Sequence, residues 1–187
     1  MGSRDRAVPR GGSPAPALGD PAHGRAVAVT WERGRATIDR LLAARELEMV
    51  EVSPLLAKQL VMQARAHMAS ARMVEPVDPE GAYQLAYDAA RKACSALLAV
   101  QGLRATTRGG HRAVQEAVVD QFDGPSGSEA FRGFGRLRRL RAQAEYPGVG
   151  HAALTPEDVS DGVAAAARVV ADAAALLKTQ HVTPFRP

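Results

Sequence analysis

An all-α helical bundle of five or six helices is the fold class that this sequence predicts, and three observations predict it. Hydrophobic residues make up 46% of the chain but aromatic residues only 4%. The core must therefore be built from Ala, Leu and Val, and Ala and Leu are strong helix formers. Apolar residues recur in steps of three and four across about 30 to 180, while no four-residue apolar–polar alternation recurs between turns, so no sheet is expected. Finally, a capping residue followed by proline stands at the head of three of the apolar-periodic segments, at Ser53-Pro54, Asp78-Pro79 and Thr155-Pro156. That pair supplies a side-chain acceptor for an orphan amide and a preset φ at the first helical position.

At the start of the chain, residues 1–29 hold many Gly, Pro and Arg without periodicity, which predicts a disordered tail. A helix is expected from about Thr30 to Val50, with Ile38, Leu41, Leu42 and Leu47 inward. A second begins at Ser53-Pro54, carries Leu56, Leu60, Ala64, Met68 and Ala71 on one face, and ends near Val74, before Pro76. A third begins at Asp78-Pro79-Glu80, with Tyr83, Ala86, Ala90, Ala93 and Leu97 as its stripe and Gly102 as its stop. Leu103–Gly110 is a cationic loop. The fourth helix covers His111 to Phe122, with Val114, Val118 and Phe122 inward. The fifth covers Ser128 to Tyr146, with Phe131, Phe134, Leu137, Leu140 and Ala144 inward, and Pro147-Gly148 ends it. The sixth opens at Thr155-Pro156-Glu157-Asp158 and buries Val159, Val163, Ala166, Val170, Ala173 and Leu177. Residues 181–187 form a short irregular tail. Short loops between the second and fifth helices predict antiparallel neighbours.

Composition excludes several classes. No apolar run approaches the roughly 18 residues that cross a bilayer. The N-terminal arginines precede no apolar segment, so no secretory signal and no membrane are expected, and a cytoplasmic protein is the default expectation. Cys94 is the single cysteine, which excludes an intrachain disulfide and a zinc cluster; it reads as a small buried hydrophobe. The five histidines are scattered. His23 and His181 fall near the ends, and His67 reads as a structural or surface residue. His111 and His151 follow glycines and read as exposed loop or helix-start residues. No two share metal-ligand spacing, so neither a metal nor a cofactor is expected. P-loop, dinucleotide-binding, HExxH and nucleophile-elbow patterns are all absent.

The formal net charge is +4, and much of it sits on the fifth helix. There Arg132, Arg136, Arg138, Arg139 and Arg141 face only Glu129 and Glu145. Guanidinium forks at this density suit phosphate binding. The plainer reading is a solvated face with Arg141 and Glu145 as an i,i+4 pair. Arg104 and Arg108 in the cationic loop are further phosphate-binding candidates.

The run Ala82-Tyr83-Gln84-Leu85-Ala86-Tyr87-Asp88-Ala89-Ala90-Arg91-Lys92-Ala93, followed by Ala96-Leu97-Leu98, resembles the second conserved helix of HEPN domains. Gly102-Leu103-Arg104 and Gly110-His111 are similar to the segment that leads into the next helix in that family. Arg138-Arg139-Leu140-Arg141-Ala142-Gln143-Ala144-Glu145-Tyr146-Pro147 resembles its late signature helix. The resemblance spans about 55 to 178. It implies a helical bundle that dimerises, in a family of metal-independent ribonucleases of toxin–antitoxin, defence and RNA-processing systems, with non-catalytic members that bind RNA, nucleotides or nucleotidyltransferases. In catalytic members an Arg is followed after four to six residues by a His. If Arg141 takes the arginine position, the histidine position falls on Tyr146; if Arg139 takes it, the histidine position falls on Ala144, Glu145 or again Tyr146. None of these is His, and His151 is too distant. A phenol is a poor proton shuttle at neutral pH. The resemblance thus implies a homodimer that binds RNA or nucleotide phosphates in the dimer cleft through the basic fifth helix, with Arg138, Arg139 and Arg141, and with weak or absent catalysis. The alternatives are a protein partner of a nucleotidyltransferase, or a ribonuclease using Arg141 and Tyr146.

Overall fold

The computed structural model describes residues 33–122, 130–145, 154–179 and 182–187, without the side chains of 142–145. Within them the chain forms α1 (Arg35–Ala43), β1 (Leu47–Met49), α2 (Pro54–Val74), α3 (Pro79–Gln101), β2 (Leu103–Ala105), α4 (Gly110–Phe122), α5 (Ala130–Glu145) and α6 (Pro156–Lys178). The expected tail 1–29, the helix starts at Thr30 and Ser128, and Tyr146 lie outside the described residues.

The caps act as their chemistry requires. The Ser53 hydroxyl accepts the Leu56 amide at 3.2 Å and the Asp78 carboxylate accepts the Gly81 amide at 2.9 Å. Thr155 and Asp158 form a reciprocal capping box at the start of α6. Gly102 closes α3 with φ 73°, a left-handed conformation that glycine adopts without steric penalty.

α3 is the axis of the bundle, with α2, α4, α5 and α6 packed around it. Its predicted stripe, Tyr83, Ala86, Ala90, Ala93 and Leu97, is fully buried, and Cys94 is buried beside it. Burial pushes the Cys94 thiol pKa far up, so it remains a neutral hydrophobe. The amide of Ser53, at the head of α2, donates to Ala99 O near the foot of α3 at 3.0 Å, so the two helices run antiparallel. α6 approaches so closely that a Cβ at Gly162 would lie 2.3 Å from the Tyr83 ring.

Three expectations are corrected. The first helix does not reach Val50, and a sheet exists. α1 ends at Ala43, Arg45 takes a positive φ of 57°, and the chain leaves extended. Leu47–Met49 pairs antiparallel with Leu103–Ala105, matching Leu47 with Ala105 and Met49 with Leu103. Three-residue strands fall below the alternation length that a sequence can display. Leu56, read as inward, is 43% exposed. The final segment is irregular, as expected, yet it is anchored: Phe185 is buried, its amide donates to Gln101 O at 2.8 Å, and Arg35 lies over its ring.

No helix among the described residues is long and apolar enough to cross a membrane.

Candidate phosphate-binding cleft

Tyr83 and Tyr87 are four residues apart on α3, so both rings project from the same face, toward α5. The Tyr83 hydroxyl donates to Leu137 O at 3.3 Å. Phe134 stacks on Tyr87 at 5.7 Å between centroids, with 24° between the planes. These contacts fix the rotation of α5, and one turn past Leu137 they deliver Arg141 to Tyr87. The Arg141 guanidinium sits 5.3 Å from the Tyr87 ring centroid, a cation–π arrangement. From α4, the His111 ring lies 5.6 Å from the Tyr87 ring.

These groups border a cleft of about 490 Å³ whose polar lining is Asp78, Gln84, Tyr87, Asp88, His111 and Arg141. Tyr87 is 1% exposed, and its hydroxyl has no hydrogen-bond partner among the described residues. Desolvation pushes its pKa up to about 12, against the opposing pull of Arg141, Arg91 and Arg138. At neutral pH it is therefore an O–H donor in need of an acceptor, and an unsatisfied buried donor costs about 1–3 kcal/mol.

Asp88 is the acidic counterweight. Its Oδ1 accepts from both Nε and Nη2 of Arg91, and its Oδ2 lies 3.0 Å from His67 Nδ1 and 3.6 Å from Lys92 Nζ. The His67 contact is close enough for an ion pair when the ring is protonated, but off-axis for a hydrogen bond. Burial alone would raise the Asp88 pKa; the Arg91 hydrogen bonds and the charges of Arg91, Lys92 and His67 outweigh it and hold the carboxyl below its usual range.

The predicted arginines do not share one patch. Arg141 lines the cleft. Arg138 donates from Nε to Gln115 Oε1 of α4 at 2.8 Å and remains within electrostatic reach of Tyr87. Arg139 is exposed on the outer side of α5. Arg136 bridges α5 to α6, through Asp158 at 3.3 Å and Asp161 at 3.8 Å. Arg104 pairs with Glu48 across the β ribbon at 2.9 Å, and exposed Arg108 reaches Ala44 O at 3.5 Å; neither lines the cleft. Tyr146 and His151 lie outside the described residues, as does the Glu145 side chain, so an Arg141–Glu145 pair also falls outside them.

Sequence reasoning missed His111, Tyr87 and Arg91. His111 does stand at the start of α4, as its position after Gly110 predicts, but it is half-buried against Tyr87 instead of exposed. It also borders a second, mostly apolar groove of about 560 Å³, where Leu56, Leu60, Leu98, Leu103 and Val114 meet Arg91. No group of three potential metal ligands occurs among the described residues. Searches against protein-family models, curated proteins and solved structures found no match for this chain.

Proposed function

We propose that this protein binds a phosphate group of RNA or of a nucleotide in the cleft between α3, α4 and α5. One observation carries the reading: Tyr87 is buried with a hydroxyl that has no hydrogen-bond partner among the described residues, and its ring lies beneath the Arg141 guanidinium and beside the His111 ring. A phosphate oxygen would accept from Tyr87, while Arg141 supplies charge and a planar fork. Arg91 and Arg138 add positive potential at the same point. The resemblance to HEPN domains supports RNA or nucleotide as the ligand class, a homodimer as the working form, and a toxin–antitoxin or defence role. Relative to the sequence reading, the binding set contracts to Arg141 and Arg138 and gains Tyr87, His111 and Arg91.

In a catalytic version the acid–base group would be Tyr146, as the resemblance implies, acting beside Arg141. A protein-binding role, with a nucleotidyltransferase as one such partner, is the second reading; the exposed apolar side chains of α2 favour it.

A salt titration of binding to a short single-stranded RNA tests the cleft. Wild-type affinity should fall steeply with salt as counterions are released. Arg141→Ala should cost about 1.5–3 kcal/mol, Arg141→Lys should recover part of it, and Arg108→Ala should change nothing. Tyr87→Phe should weaken binding without flattening the salt slope. Curves for wild type and Arg141→Ala that are flat and superimposable would sink the proposal.

A further inference from the structure

Every large apolar side chain that is exposed among the described residues falls between positions 49 and 77: Met49, Val52, Leu55, Leu56, Met62, Met73 and Val77. Most belong to α2, which packs mainly on α3 and lightly on α6. The pattern on its outer surface is regular. Residues 55, 59, 62, 66, 69 and 73 are all exposed, and they alternate steps of four and three. Leu55 is 68% exposed, Met62 61% and Met73 79%; Gln59, Ala66 and Ala69 lie between them. Alternating four–three spacing keeps one seam aimed at a second helix, and small residues within it let that helix come close. Methionine adapts its shape to whatever packs on it.

Charge identifies the occupant. α2 contains no Asp or Glu. Lys58, Arg65 and Arg72 recur at seven-residue intervals beside the seam, all exposed and without an ion-pair partner among the described residues. The opposite flank, Leu56, Gln63 and Ser70, is uncharged. A second copy of α2 would find no complement here. Paired antiparallel, its basic row would meet itself; paired parallel, the row would meet the neutral flank. An acidic helix supplies what the face lacks, with apolar residues for the seam and carboxylates for the row.

We infer that the outer face of α2 docks an acidic amphipathic helix of another protein, seated along Leu55, Met62 and Met73 and paired with Lys58, Arg65 and Arg72. An anionic membrane fits less well, because the apolar stripe is narrow and interrupted by Gln59. A nucleic acid would leave the apolar seam uncovered. The inference is independent of the phosphate cleft, since none of these six residues lines it.

The probe is a synthetic helical peptide of about three heptads, with Leu at its a and d positions and Glu at e and g, labelled for fluorescence anisotropy against the full chain. Binding should weaken with added salt. Met62→Asp should lower affinity roughly tenfold or more, by placing an unpaired charge in the seam. The triple variant Lys58→Glu, Arg65→Glu, Arg72→Glu should reject the acidic peptide and bind its Lys-substituted counterpart. That exchange of preference separates pairing along the row from a general loss of structure. Absence of peptide binding, or binding that ignores both variants, would overturn the inference. Self-association of the wild type that Met62→Asp abolishes would overturn it in favour of a second copy. Capture by phosphatidylserine vesicles, lost in Met62→Asp and unaccompanied by peptide binding, would overturn it in favour of a membrane.

Discussion

The helices α2 and α3 are nearly equal in length, at 21 and 23 residues, and each opens with a capping side chain followed by proline. α2 buries four of its residues and α3 thirteen. Capping chemistry therefore decides where a helix starts and has no say in where it sits. Placement depends on side-chain volume and charge around the whole circumference. α3 carries alanine at 82, 86, 89, 90, 93, 96 and 99, all buried, so neighbours approach it from several directions. α2 carries Lys58, Gln59, Gln63, Arg65 and Arg72 on its outer half, where desolvation would be costly, and so buries a single stripe.

The largest expected effect that could break this contrast is a pair of core and surface truncations. Leu97→Ala in α3 should cost about 2–5 kcal/mol by leaving a cavity at a fully buried site. Met62→Ala in α2 should stay within about 0.5 kcal/mol. Urea unfolding of both measures the difference, and a comparable loss at Met62 would mean that α2 is covered in the working protein. The caps sharpen the contrast from the other side. Ser53→Ala and Asp78→Ala should each cost about 1 kcal/mol despite the unequal burial of their helices. A much larger loss at Asp78 would show that burial amplifies the cap.

The smallest effect concerns pH. Asp88 lies between the two helices, contacting His67 of α2 from α3, and its folded pKa is depressed. A depressed carboxyl stabilises the fold above its unfolded pKa of about 4 and loses that contribution as pH falls through the folded value. Stability measured from pH 7 down to 2 should therefore fall at the acid end. Asp88→Asn should flatten part of that slope, the remainder reflecting Glu116, which Arg40 and Arg112 hold low in the same way against its own burial, and Asp158, held low by its hydrogen bonds to Thr155 and by Arg136. An unchanged slope in Asp88→Asn would show that the contact between the helices is apolar alone.

The sequence made the helices legible because their signals are local. Pro54, Pro79 and Thr155 mark three starts within a residue of those observed, and Gly102 marks a stop. The ribbon was illegible because Leu47 meets Ala105 across more than fifty intervening residues, and neither strand is long enough to reveal its period. The cleft was half legible. Arg141 stands out in a run of arginines, and Tyr87 sits in the α3 segment that resembles HEPN domains. Nothing near His111 in the chain records that its ring will meet Tyr87, since that contact is set by how α4 crosses α3. Likewise, the dispersal of the other arginines depends on partners elsewhere in the chain: Gln115, Asp158, Asp161 and Glu48.

The β ribbon has a consequence for how the bundle opens. A helical hairpin such as α2–α3 is normally tight at its turn and loose at its free ends, where fraying begins. Here the free ends are stitched: Val50 N donates to Gly102 O at 2.9 Å and Ser53 N to Ala99 O at 3.0 Å, directly beside the paired strands. The stretch from Leu47 to Ala105 is thus a ring, closed at one end by the short turn after Val74 and at the other by six extended residues. A ring has no end from which to unzip. Amide hydrogens at Leu60 and Leu98 should exchange with solvent nearly as slowly as those at mid-helix, and the ring should open as one cooperative unit.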